Sequence, residues 1–66
     1  MSLTFDRETL DQTLELLRTR WSDGVYYHAM KYLERREEEF PVETREYKTK
    51  FSRVYYKWHN SRVYGV

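Results

Sequence analysis

The chain has 66 residues, no cysteine and a formal net charge of +1. This length allows one small domain, and the absence of cysteine excludes a disulfide framework and a thiolate zinc site. Aromatic residues make up 18% of the chain, unlike the aromatic-poor composition of disordered proteins. We therefore expect a folded domain with a net stability of only about 3–5 kcal/mol.

The sequence shows no targeting or membrane-spanning pattern. Its first residues lack a basic stretch followed by an apolar run, which would mark a secretory signal. No apolar segment approaches the roughly 20 residues that cross a bilayer. These observations predict a cytoplasmic protein that makes no membrane contact.

The first predicted helix covers residues 7–21. Apolar residues recur on one face of this helix, at Leu10, Leu14, Leu17 and Trp21. Asp6 is a suitable N-cap because its carboxylate can accept from free backbone N–H groups of the first turn. The turn Ser22-Asp23-Gly24 is predicted to end this helix and to make the next one antiparallel to it.

The second predicted helix covers residues 25–39 and has a wide apolar face, as a middle helix with two neighbours requires. That face comprises Val25, Tyr26, Ala29, Met30, Tyr32, Leu33 and Phe40. Three glutamates at 37–39 lie at the negative end of the helix dipole, so we expect an end that is either frayed or neutralised by outside cations. Pro41 then favours a break at Phe40 and the start of a new helix.

The third predicted helix covers residues 42–60. Its apolar stripe is Tyr47, Phe51, Val54 and Trp58. Asn60 and Ser61 are expected to stop it. Residues 61–66 then form a short tail that either stays flexible or folds back over the core through Val63 and Tyr64. The fold prediction is an all-α, three-helix antiparallel bundle with up-down-up topology, in a single domain over 1–66. The alternative is a helical hairpin that dimerises, with the third helix exchanged or splayed.

Charge is divided unevenly along the chain. Residues 1–43 carry six Lys/Arg and ten Asp/Glu, a balance of −4, whereas residues 44–66 carry six and one, a balance of +5. The basic half either pairs with the acidic helices or faces a partner.

The third helix carries the candidates for nucleic-acid binding, which are Arg45, Lys50, Arg53, Lys57 and Arg62. On a helical wheel, three of them fall within a sector of about 60° beside the apolar stripe, namely Lys50, Arg53 and Lys57. Cations interleaved with an outward Tyr56 are typical of a phosphate-binding face. The competing interpretation is a solvated face whose aliphatic stems cover the core.

Three apolar or aromatic side chains are predicted to point away from the core. Leu16, Tyr27 and Tyr56 are the candidates for protein binding, because tyrosine is enriched in binding hot spots. Isolated exposed rings are also ordinary surface features.

Catalysis is not expected, since the chain has two glycines and no phosphate-binding loop. His28 and His59 lack a second ligand at i+3 or i+4 and are predicted to be solvated. The residues predict no metal, no cofactor and no small-molecule substrate. The preferred hypothesis is a non-catalytic adaptor, inhibitor or regulatory subunit that binds a protein. The alternatives are a nucleic-acid-binding regulator and a self-assembling structural module.

Overall fold

A computed structural model describes the backbone of residues 4–64 and the side chains of residues 4–60. It contains three helices: α1 (Arg7–Thr19), α2 (Asp23–Arg36) and α3 (Pro41–Tyr64). Each helix packs against the other two. The predicted all-α three-helix bundle is confirmed.

Three hydrogen bonds between the helices define the topology. The Tyr32 hydroxyl, late in α2, accepts from the backbone N–H of Asp6 before α1, over 3.0 Å. The Trp58 Nε1–H, late in α3, donates to the Leu17 carbonyl late in α1, over 2.6 Å. The Tyr47 hydroxyl, early in α3, donates to Asp11 early in α1. Helices α1 and α3 are therefore parallel and α2 is antiparallel to both, which is the up-down-up arrangement and not the alternative with a splayed third helix.

The core follows the predicted apolar stripes. Its buried members are Leu10, Leu14, Leu17, Ala29, Leu33, Tyr47, Phe51 and Val54. Trp21 and Trp58 are partly buried against them. One buried residue was not predicted: Thr44, on the same face of α3, is only 1% exposed. The sequence pattern misses it because threonine is counted as polar.

The first turn lies earlier than predicted. Helix α1 ends at Thr19 and not at Trp21, and α2 begins at Asp23. Ser22 is the N-cap of α2, where its hydroxyl accepts from the Val25 N–H over 3.4 Å. Asp23 and Gly24, which were predicted to lie in the turn, therefore belong to the first turn of α2.

The other helix ends also differ from the prediction. Helix α2 ends at Arg36, and the three glutamates that follow form a turn. Helix α3 continues to Tyr64, so the predicted stop at Asn60 and Ser61 is wrong. Those two residues lower helix propensity only modestly, and the backbone of 61–64 remains helical. The rest of the predicted tail, residues 65 and 66, lies outside the described residues.

None of the described helices is both long enough and apolar enough to cross a membrane.

Candidate interaction surfaces

A shallow groove of about 410 Å³ runs along the solvent-facing side of α3. We call it the outer groove. Its walls are Glu37, Pro41, Arg45, Lys48, Thr49, Ser52, Arg53 and Tyr56. Most of these residues recur three or four positions apart on the side of α3 opposite Tyr47 and Phe51. Because the apolar stripe of α3 is buried, the groove residues on the opposite side of the helix face solvent.

The outer groove is basic. Lys48 Nζ lies 3.4 Å from Glu37 Oε1, so one cation is partly neutralised by the turn that follows α2. Within the part of the chain that the structure describes, no carboxylate lies within ion-pair distance of Arg45 or Arg53. These two arginines are eight positions apart, which is about 12 Å along the helix axis. Tyr56, 61% exposed, lies at the end of the groove beside Arg53.

The predicted nucleic-acid residues do not all lie together. The outer groove includes Arg45 and Arg53. Lys50 is engaged elsewhere: its Nζ lies 3.5 Å from Glu46 Oε1 and 4.7 Å from the centroid of the Tyr47 ring. Lys57 is exposed but does not line the groove. Arg62 belongs to α3, and its side chain lies outside the described residues.

The predicted protein-binding residues are all exposed but are not gathered at one surface. Tyr56 lines the outer groove, whereas Leu16, 49% exposed, and Tyr27, 59% exposed, do not. The Tyr27 ring has Lys31 Nζ 5.5 Å from its centroid. Of this set, only Tyr56 shares a concave surface with arginines.

A second concavity, of about 220 Å³, lies where α1 ends and α2 begins. We call it the end cavity. It is lined by Trp21, Asp23, Tyr55, Trp58 and His59. The apolar stripes predict that both tryptophans lie in the core, and the missing second ligand predicts that His59 is solvated. In the structure the exposed His59 ring stacks on Tyr55, with centroids 5.6 Å apart and an interplanar angle of 9°.

A third concavity, of about 270 Å³, separates α1 from α2. Small side chains, including Thr9, Thr13 and Ala29, leave space between the two helices there. His28 lines this third concavity, and its side chain is exposed.

Among the described residues, three titratable groups have a pKa that is shifted from its ordinary value, and each shift has a structural cause. Burial raises the pKa of the Tyr26 hydroxyl. Burial, reinforced by the hydrogen bond to Asp11, raises the pKa of Tyr47. Hydrogen bonds from Thr9 lower the pKa of Asp6, as expected for an N-cap carboxylate. These shifts are consequences of helix packing and capping, and none of the three groups lines the outer groove or the end cavity.

Among the described residues, no group of three or more His, Asp or Glu side chains is placed to hold a metal ion. In comparisons with known proteins, the chain matches no family model, no curated protein and no solved structure.

Proposed function

We propose that this protein is a non-catalytic binding module whose outer groove recognises an acidic segment of a partner protein. Such a module would act as an adaptor, inhibitor or regulatory subunit. One observation carries the proposal: Tyr56 shares a groove with Arg45 and Arg53, and neither arginine pairs with a carboxylate in the described part of the chain.

The chemistry of the groove favours carboxylates as ligands. A guanidinium group offers a planar pair of donors that matches a carboxylate. Tyr56 supplies a large, rigid ring at little cost in conformational entropy. Thr49 and Ser52 also line the groove and carry hydroxyl groups. An extended peptide rises about 3.3 Å per residue, so carboxylates at i and i+4 would span the roughly 12 Å between the two arginines.

Nucleic acid is the weaker candidate for the same groove. Phosphate-binding faces neutralise several phosphates with a row of cations. In the groove Lys48 pairs with Glu37, and outside it Lys50 pairs with Glu46, so a phosphate backbone that follows α3 would pass two carboxylates. A continuous phosphate backbone would be repelled where a short acidic peptide would not.

The test is a binding titration followed by fluorescence anisotropy. The probe is a fluorescein-labelled peptide with glutamates at i and i+4 and a phenylalanine beside them. Arg53→Glu is expected to weaken binding by about tenfold, equivalent to about 1.4 kcal/mol. Tyr56→Ser is expected to weaken it by a similar factor while leaving the circular dichroism spectrum unchanged. Lys57→Glu is the matched control, because it makes the same charge change on α3 outside the groove.

Three outcomes would overturn the proposal. Equal losses of peptide affinity for Arg53→Glu and Lys57→Glu would show that the peptide is attracted by the net charge of α3 alone. Tighter binding of duplex DNA or single-stranded RNA than of the peptide, at about 150 mM salt, would make the groove a phosphate site. Sedimentation showing an oligomer that buries Tyr56 would support the self-assembling alternative instead.

We further propose a cytoplasmic location. A chain without cysteine is compatible with a reducing compartment. Fractionation of cells that produce the tagged protein tests this, and recovery in a membrane or secreted fraction would contradict it.

A further inference from the structure

The end cavity is walled almost entirely by aromatic rings. Trp21 and Tyr55 meet edge to face, with centroids 5.7 Å apart and an interplanar angle of 65°. His59 stacks on Tyr55, and Trp58 completes the lining from α3. Among the residues that the structure describes, the one acidic member of the lining is Asp23, at the first position of α2.

The hydrogen-bond donors of both indole rings are already occupied. Trp21 Nε1–H donates to Asp23 Oδ1 over 2.7 Å, and Trp58 Nε1–H donates to the Leu17 carbonyl over 2.6 Å. A ligand in the end cavity would therefore meet the aromatic side chains of the lining, together with the second oxygen of Asp23. Ring faces carry negative potential, and the carboxylate carries a full negative charge.

The same hydrogen bonds hold the walls in place before any ligand arrives. Trp58 is tied to the last turn of α1, where backbone carbonyls add further negative potential. Tyr55 packs against Tyr26 as well as Trp21, with ring centroids 5.4 Å apart in the first pair. A preformed site of this kind loses little conformational entropy on binding.

We propose that the end cavity binds an organic cation of the methylated ammonium class. Aromatic rings with a nearby carboxylate recognise quaternary ammonium groups through cation–π attraction. An unmethylated ammonium keeps three donors that need acceptors, and Asp23 is the one side-chain carboxylate lining the cavity. Methylation removes those donors and keeps the charge. This site is separate from the outer groove, so the proposal does not depend on the proposed function.

Intrinsic fluorescence provides a direct readout, because both tryptophans of the chain line the end cavity. The protein is titrated with choline at constant ionic strength. A parallel titration uses its neutral carbon isostere, in which a tert-butyl group replaces trimethylammonium. We expect a saturable change with choline at millimolar concentration and about 2- to 30-fold weaker binding of the isostere, which is the equivalent of the about 0.5–2 kcal/mol that a cation–π contact contributes. Equal binding of the two compounds would overturn the proposal.

Three variants locate the site. Tyr55→Leu keeps apolar bulk but removes a ring, and is expected to weaken choline binding about tenfold. Asp23→Asn keeps an oxygen acceptor for Trp21 while removing the charge, and is expected to weaken binding by about fivefold. Tyr27→Leu removes an exposed ring that does not line the cavity, and is expected to leave binding within about twofold of the parent. If Tyr55→Leu fails to fold, the comparison of Asp23→Asn with Tyr27→Leu decides. An effect of Tyr27→Leu as large as that of either cavity variant would overturn the assignment.

The source of the cation is distinguished by a second ligand. A peptide that contains trimethyllysine is compared with free choline in the same assay. Tighter binding of the peptide supports a methylated protein as the ligand, whereas tighter binding of choline supports a free small cation. Binding of neither compound overturns the proposal.

Discussion

Replacement of Thr44 by valine should stabilise the protein. Thr44 is 1% exposed, and its Oγ1 has no hydrogen-bond partner among the described residues. The Phe40 carbonyl, four residues earlier, accepts from the Thr44 backbone N–H over 2.9 Å but not from Oγ1. The hydroxyl has therefore lost its hydration on folding without gaining an equivalent bond.

The size of the effect follows from two opposing contributions. A buried polar group without a partner costs about 1–3 kcal/mol, and valine and threonine have nearly the same helix propensity. A methyl group is slightly larger than a hydroxyl, so crowding in the packed interior offsets part of the gain. We expect a net increase of about 1–2 kcal/mol in the free energy of unfolding. For a domain of this size, that raises Tm by at least about 4 °C.

Urea and thermal unfolding followed by circular dichroism measure this change. Thr49→Val on the same helix is the matched control, because Thr49 is exposed and its hydroxyl donates to the Arg45 carbonyl over 3.0 Å. The control should stay within about 0.5 kcal/mol of the parent. A Thr44→Val protein that is less stable than the parent would show that the Thr44 hydroxyl is hydrogen-bonded, and would refute the reasoning.

Two further predictions concern the core. Phe51 is fully buried, and Phe51→Ala should lower the free energy of unfolding by about 2–5 kcal/mol. This loss approaches the whole stability of the domain. Leu16→Ala, at an exposed site, should have little effect. Unchanged melting of the Phe51 variant would contradict its place in the core. Because burial and the bond to Asp11 raise the pKa of Tyr47, the folded state holds that proton more tightly than the unfolded chain. This stabilisation is complete below about pH 10 and is lost as pH rises through the folded pKa. Urea melts from neutral to alkaline pH should therefore show a smaller alkaline loss for Tyr47→Phe than for the parent, and parallel profiles would contradict this account.

The periodicity of large apolar residues was enough to predict the fold. Leu10, Leu14 and Leu17 repeat every three or four positions, and so do Tyr47, Phe51 and Val54. Burying each stripe against the others leaves few arrangements for a chain with short turns. The helix ends were less predictable, because Ser22 suits the end of α1 and the N-cap of α2 equally well by composition.

The candidate surfaces were only partly predictable. Helical geometry correctly predicts that Tyr56 points away from the core. It grouped Arg53 with Lys50 and Lys57, whereas the structure places Arg53 beside Arg45 in the outer groove. A helical wheel fixes where each Cα–Cβ bond points but not where a long side chain ends. Lys50 reaches back to Glu46, and no wheel shows that contact.

The end cavity was beyond sequence reasoning for a different reason. It joins Trp21, which follows α1, to Tyr55 and Trp58 near the end of α3. Such long-range neighbours depend on the relative register of α1 and α3. The Trp58 to Leu17 hydrogen bond helps set this register, and neither helix reveals it alone.

The charge asymmetry of the chain is the feature that connects the fold to its proposed role. Were the basic third helix present mainly to neutralise the acidic first two, ion pairs between them would be frequent. In the described part of the chain, Lys48–Glu37 is the one ion pair that joins α3 to the acidic half, whereas the others lie within single helices. The aromatic and aliphatic core already holds α3 in place, and exposed ion pairs would add little. Most of the described cations of α3 thus make no ion pair with the acidic half, and the proposed binding role of the outer groove requires such uncommitted charge.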